Sequence, residues 1–147
     1  MSRFARNHHC CVINLADNGI LIEGKSGSGK TSLMMGLLER ARIENIPASF
    51  ICDDQAMLTV NGEALIAEAP KMIAGKAELP GHGIIQMPHC GSTSIKQVFR
   101  LVPDEMVERM PKPGFSSHLG RPLPLTMLPE RHENRSVRIV FAALQLI

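Results

Sequence analysis

The segment GKSGSGKT, residues 24–31, constrains the fold of this 147-residue chain more than any other. Glycines at 24, 27 and 29 allow tight backbone turns, so that successive N–H groups point into one concavity suited to an anion. Gly24, Gly29, Lys30 and Thr31 fill the fixed places of G-x-x-x-x-G-K-[ST], and Lys25, Ser26, Gly27 and Ser28 fill the interval. Lys30 supplies an ammonium for β- and γ-phosphates, and Thr31 a hydroxyl for Mg²⁺. Such a loop belongs between a strand and a helix, and the flanking sequence provides both. Residues 20–23 (ILIE) read as a strand, while Leu33, Met34, Leu37, Leu38 and Ala41 share one helical face. That periodicity predicts a helix over residues 30–44, ended by Pro47, whose positive end faces the same phosphates. The alternative, a flexible Gly/Ser turn capping a helix, lacks a reason for this context. Residues 24–31 are read as a nucleotide-phosphate site.

Phosphoryl transfer also needs carboxylates to hold metal and position an attacking oxygen. ASFICDD reads as a buried strand that ends in Asp53 and Asp54. Neighbours on a strand face opposite ways, so one carboxylate should face the phosphates while the other orients it or reaches metal. The residues alone do not choose between them. Around this core, residues 9–15 read as a further strand and Asp17-Asn18-Gly19 as a turn. AMLTVNGEALIAEAP predicts a hairpin turning at Asn61-Gly62. Strands are expected near residues 83–87 and 95–102, and a C-terminal helix from the spacing of Val137, Val140, Phe141 and Leu144. The stretch 103–129, rich in Pro and Gly, reads as loops. The length suits one α/β domain over residues 1–147.

Composition narrows the partners. A formal charge of +2, without Trp or Tyr to stack on bases, argues against nucleic acid. No apolar run approaches the roughly 20 residues that cross a bilayer. Arg3 and Arg6 precede CCVINLA, but that run is a poor leader core, and cleavage there would cripple the loop. Cysteines 10, 11, 52 and 90 show no CxxC spacing, so reduced thiols and a cytoplasmic setting are expected. His8, His9, Cys10 and Cys11 invite a zinc reading. On a strand, however, alternate members face opposite ways, leaving only His82, His89 and Cys90 to complete a site.

Taken in order, several segments resemble the HPr kinase/phosphorylase family in a short bacterial form without the N-terminal domain. They are His9, the loop fifteen residues on, ICDD, the hairpin, APKMIAGKAELPGHGII, and ERMPKPG with a Leu/Pro-rich run. The resemblance implies a P-loop kinase core related in fold to phosphoenolpyruvate carboxykinase, a mixed sheet with a helix after the phosphate loop. It implies Mg²⁺ and ATP used to phosphorylate a serine of the phosphocarrier HPr, a phosphate-dependent reverse reaction, and assembly as a homo-oligomer. It further implies Asp53 as the base that takes the serine proton and Asp54 as its support. His9 would be the active-site histidine, and Glu78, with Thr31, a metal ligand. The family's signature arginine is replaced by Pro80, with His82 at its next variable position. The rivals are a P-loop kinase of a small hydroxyl metabolite, which usually carries a lid with paired arginines, and a nucleotide sensor without transfer activity.

Overall fold

The computed structural model describes residues 5–147, so Arg3 lies outside it. Eleven strands and two α-helices, with two three-residue 3-10 helices at Lys71–Ile73 and Asp104–Met106, follow one another in these residues. They are β1 (Ala5–His8), β2 (Cys10–Leu15), β3 (Asn18–Glu23), α1 (Lys30–Ile43), β4 (Ala48–Cys52), β5 (Ala56–Asn61) and β6 (Ala64–Glu68). Next come β7 (Lys76–Leu79), β8 (Gly83–Gln86), β9 (Ser92–Val102), β10 (Gly114–His118), β11 (Arg121–Pro129) and α2 (Glu133–Ala143).

Nine strands form one mixed sheet with the path β1-β5-β6-β9-β3-β2-β4, and β11 joins β9 on one side and β10 on the other. The 11-residue β9 changes partner along its length: Ser92–Ser94 pair with β6, and Val98–Val102 with β11. β3, β9 and β11 are mutually parallel, and β4 shares their direction because both β3 and β4 run antiparallel to β2. Four strands therefore end at one edge of the sheet, in the spatial order β11-β9-β3-β2-β4 with antiparallel β2 inserted. Parallel α/β sheets gather their chemistry at that edge.

Alternation along the strands divides the interior in two. Ile13, Ile20, Ile22 and Phe99 face α1 and α2, where they meet Leu33, Leu37, Val140 and Phe141. Val12, Leu21 and Val98 point the other way, onto Ile51, Leu58 and Leu65. Each fully buried aliphatic side chain contributes about 1.5–3 kcal/mol. Both helices stop in the same manner. Asn45 and Gln145 adopt left-handed φ values of 57° and 59°, and Ile46 and Leu146 donate back to Ala41 and Phe141, both at 2.8 Å. Pro47 thus follows a stop already made by Asn45. The helices meet at Gly36, where a Cβ would lie 2.6 Å from the Glu133 carboxylate.

Three sequence expectations need correction. The hairpin turns on Gly62-Glu63, because Asn61 pairs with Ala64 as the last residue of β5. The left-handed φ of 63° at Gly62 suits the first central position of a two-residue turn. Residues 103–129 are not all loop, since β10 and β11 lie within them. Pro122 and Pro124 suppress the strand signal, yet they sit where β11 has only β10 beside it, the edge setting in which proline is tolerated. Finally, β7 precedes the predicted strand at 83–87 and pairs with it as a separate two-stranded ribbon, with Pro80 and His82 in its turn. No helix among the described residues is long and apolar enough to cross a membrane.

Candidate active site

The glycine loop leaves β3 after Glu23 and re-enters regular structure at Lys30. A side chain at Gly24 would meet Ser28 Oγ at 2.8 Å and Leu101 Cβ at 3.1 Å, so only glycine lets the loop start this close to β9. Lys30 is 7% exposed, and its ammonium donates to the loop's own carbonyls, Gly24 O at 2.8 Å and Lys25 O at 3.1 Å. Ser28 Oγ is buried without a hydrogen-bond partner among the described residues. Lys25 and Ser26 are exposed, and Ser26 lines the same cleft as Lys30 and Thr31.

Asp53 meets this loop from β4. It is 4% exposed and accepts three hydrogen bonds: from the Thr31 hydroxyl at 2.8 Å, the Cys11 thiol at 3.0 Å and the Glu78 main-chain N–H at 2.9 Å. Burial, then the negative charge of Asp53, push the Cys11 thiol well above its ordinary range, so it stays protonated and donates. Asp54 behaves differently. Its φ of 73° is left-handed, a conformation that costs an L-residue about 1–2 kcal/mol, and its carbonyl accepts from Cys10 N–H at 3.1 Å. The turn throws its carboxylate outward, 3.4 Å from His9 Nδ1, with both side chains at least half exposed. Asp53 thus turns toward the loop and Asp54 toward solvent and His9, whereas the sequence predicts a second carboxylate that orients the first or reaches metal.

These groups line one cleft of about 220 Å³, together with Gly27, Gly29, Ser32 and Pro80. Glu78 also lines it, tied in by its main-chain N–H to Asp53, and the residue is exposed. The donors on offer, Thr31 hydroxyl and Asp53 and Glu78 carboxylates, are all hard oxygens, a set that fits Mg²⁺ better than zinc.

Zinc itself finds no site around Cys10 and Cys11. Cys10 enters the second core, Cys11 serves Asp53, and Cys90 is exposed. Among the described residues only His8, Glu23 and His118 bring three ligand atoms together. There the Arg6 guanidinium donates to His118 Nδ1 at 2.9 Å, which places the ring hydrogen on Nε2. His118 Nε2 then donates toward Glu23 Oε1 at 3.4 Å instead of offering a lone pair to metal. His8 Nε2 and Arg100 reach the same carboxylate at 3.0 and 2.6 Å. Burial opposes ionisation of Glu23, but the hydrogen bonds from His118, His8 and Arg100 outweigh it and hold the carboxyl well below the usual range. This hub supports the strand end under the loop. It escaped sequence reading because Arg100 and His118 come from distant strands.

Arg131 was missed for the same reason. Its main-chain N–H donates to Ser28 O at 3.2 Å and its guanidinium to Gly27 O at 2.7 Å, so the β11–α2 turn braces the loop from the side opposite Asp53.

Comparison with known proteins bears on this arrangement. Residues 3–110 match the family model described as the HPr Serine kinase C-terminal domain. The chain belongs to that family. An HPr kinase/phosphorylase of Malacoplasma penetrans is 32% identical over 117 residues, 78% of this chain and 37% of that protein. One of Mycoplasma mycoides is 30% identical over 79 residues, 54% of this chain and 23% of that protein. The chain thus spans well under half the length of these curated relatives. The solved Hpr(Ser) kinase/phosphatase of Coxiella burnetii superposes with a TM-score of 0.81 at 20% identity, covering 96% of this chain and 97% of that one. The mixed α/β fold is therefore that of an HPr kinase domain. The matched residues include the loop, both aspartates and Glu78, and stop before β10, β11 and α2.

Proposed function

We propose that this domain is a P-loop protein-serine kinase that transfers the γ-phosphoryl group of ATP to a serine of HPr. The observation that carries the reading is Asp53, buried and oriented by three donors on the wall of the cleft that also holds the glycine loop. A carboxylate has about four lone-pair sites, so three donors leave one for the incoming serine hydroxyl. Asp53 takes the serine proton as the oxygen attacks the γ-phosphorus, and the bond from that phosphorus to the ADP oxygen breaks. Lys30 leaves the loop carbonyls to neutralise charge on the phosphates, and the amides of residues 27–31 receive the remainder. Thr31 and Glu78 would hold Mg²⁺, which would supply charge neutralisation at the same phosphates. In the phosphate-dependent reverse reaction an oxygen of inorganic phosphate attacks the seryl phosphorus to give pyrophosphate, the bond to the serine oxygen breaks, and Asp53 returns the proton to that oxygen.

A second assignment has its own support. Asp54 and His9 lie 3.4 Å apart and open to solvent, where a protein substrate would enter. Substituting each aspartate separately distinguishes the two.

The deciding experiment incubates the protein with Mg²⁺, ATP and HPr from the same cell and reads the mass of HPr. The expected result is one added phosphate on a serine. Rapid turnover of a small hydroxyl metabolite with HPr untouched would replace this reading with a metabolite kinase, and ATP binding without transfer would replace it with a sensor. The same proposal includes a cytoplasmic setting and a homo-oligomer, the latter read from mass in solution.

A further inference from the structure

The sheet order fixes more than the loop's neighbours. β3, which feeds the glycine loop, has β2 and then β4 on one side, and β9 and then β11 on the other. Asp53 therefore stands two strands away on one flank and Arg131 two strands away on the opposite flank. If the terminal phosphate faces Asp53, a phosphate chain laid over the amides of residues 27–31 must carry its nucleoside off toward β11.

A cleft waits there. It measures about 260 Å³ and runs from Gly29 and Ser32, at the start of α1, to the β11–α2 turn. Leu33, Leu101 and Pro129 give it an apolar floor, and Arg131 and His132 stand at its rim. Arg131 holds a left-handed φ of 56°, unusual for a residue with a side chain. Its guanidinium is tethered to Gly27 O, with Glu130 Oε1 3.6 Å away, while the side chain stays 67% exposed. A planar cation fixed beside the loop with a free face is suited to stack on an aromatic ring. The other neighbouring hollow, under the loop's first residues, mixes Lys25 and Arg100 with the buried carboxylates of Glu23 and Glu130, but Glu23 already occupies Arg100 and His8, and Glu130 Oε2 is buried without a hydrogen-bond partner among the described residues.

We infer that the cleft at the β11–α2 turn is the nucleoside subsite, with the base stacked on the Arg131 guanidinium. This inference rests on the reading of residues 24–31 as the nucleotide-phosphate site. It assigns a binding role to residues beyond those the family model matches.

Calorimetry with two probes, ATP and inorganic tripolyphosphate, in Mg²⁺ buffer separates base from phosphate contacts. Arg131→Ala and Arg131→Lys are expected to weaken ATP about tenfold or more, the scale of one desolvated cation–π contact. Tripolyphosphate should bind both variants as it binds the unaltered protein. Because the substitution also cuts the tether to Gly27, the unaltered protein is labelled in parallel with 8-azido-ATP. The label should fall within residues 129–136 and be competed away by ATP. Equal loss for both probes, no loss for either, or a label on residues 54–57, 80–87 or 100–103 overturns the subsite. Failure of the unaltered protein to bind either probe would instead overturn the phosphate reading, and the subsite with it.

Discussion

The Thr31 hydroxyl donates to Asp53 Oδ1 across 2.8 Å, tying the first turn of α1 to the end of β4. The bond spans the gap between the loop's helix and the acidic strand end, so the two halves of the candidate site hold each other in register. Asp53→Asn removes the base and sets an amide nitrogen against either the Glu78 N–H or the Thr31 and Cys11 donors. Phosphate transfer to HPr should fall by about 10²- to 10⁴-fold, the range for loss of a general base. ATP affinity should stay within about threefold, since no phosphate contact is lost. Asp54→Asn should cost much less. The reverse ranking in a single-turnover assay would move the base to Asp54 and His9.

Lys30 gives a second test. Its ammonium closes the loop on Gly24 O and Lys25 O, so phosphate must compete with two carbonyls for it. Lys30→Met keeps the buried stem and removes the charge. ATP affinity should drop about 10- to 100-fold, the worth of one or two hydrogen bonds to a charged group. Calorimetry reads it directly, and unchanged affinity would mean that the ammonium never leaves the loop.

The sequence was most legible where one short segment sets its own geometry. GKSGSGKT announced its loop because glycine at 24, 27 and 29 is demanded by local backbone shape, and the heptad-like spacing of Leu33, Met34, Leu37 and Ala41 announced α1. Asp53 and Asp54 were legible as a pair, but β4 ends at Cys52, so a left-handed turn at Asp54, and not strand alternation, sets their different directions. Their unequal burial was not legible, because it depends on Cys11 and Glu78, 42 and 25 residues away. β10 and β11 were hidden for a different reason. The prolines of β11 erase its local propensity, and pairing with β9 and β10 makes it a strand; β10 in turn is a strand through β11. The support from Arg131, Arg100 and His118 is likewise a product of sheet order, which no local pattern encodes.

Cys11 supplies the third prediction. Its thiol is fully buried, and a serine at the same place keeps a donor to Asp53 while a valine does not. Cys11→Val should lower stability by about 1–3 kcal/mol through the unmet carboxylate. It should also lower the transfer rate, because Asp53 loses one of the three donors that orient it. Cys11→Ser should restore both stability and rate. Identical stability and rate in the two variants would show that the thiol only fills space.

Glu23 yields the pH dependence. Its carboxyl is held well below the ordinary value when folded, and it returns to about 4.3 when the chain unfolds. Above that value the unfolded chain gains nothing by ionising, so the hydrogen bonds from His118, His8 and Arg100 count in full toward the folded state. As pH falls below about 4.3 the unfolded carboxyl takes up a proton first, and this support fades toward the lower folded value. Glu23→Gln should therefore be less stable than the unaltered protein in urea at pH 7, and the difference should shrink steadily between about pH 4.5 and pH 2.5. A difference that stayed constant over that range would mean that Glu23 acts by shape and packing instead of by charge. The candidate site would then lose the anchored strand end from which its glycine loop departs.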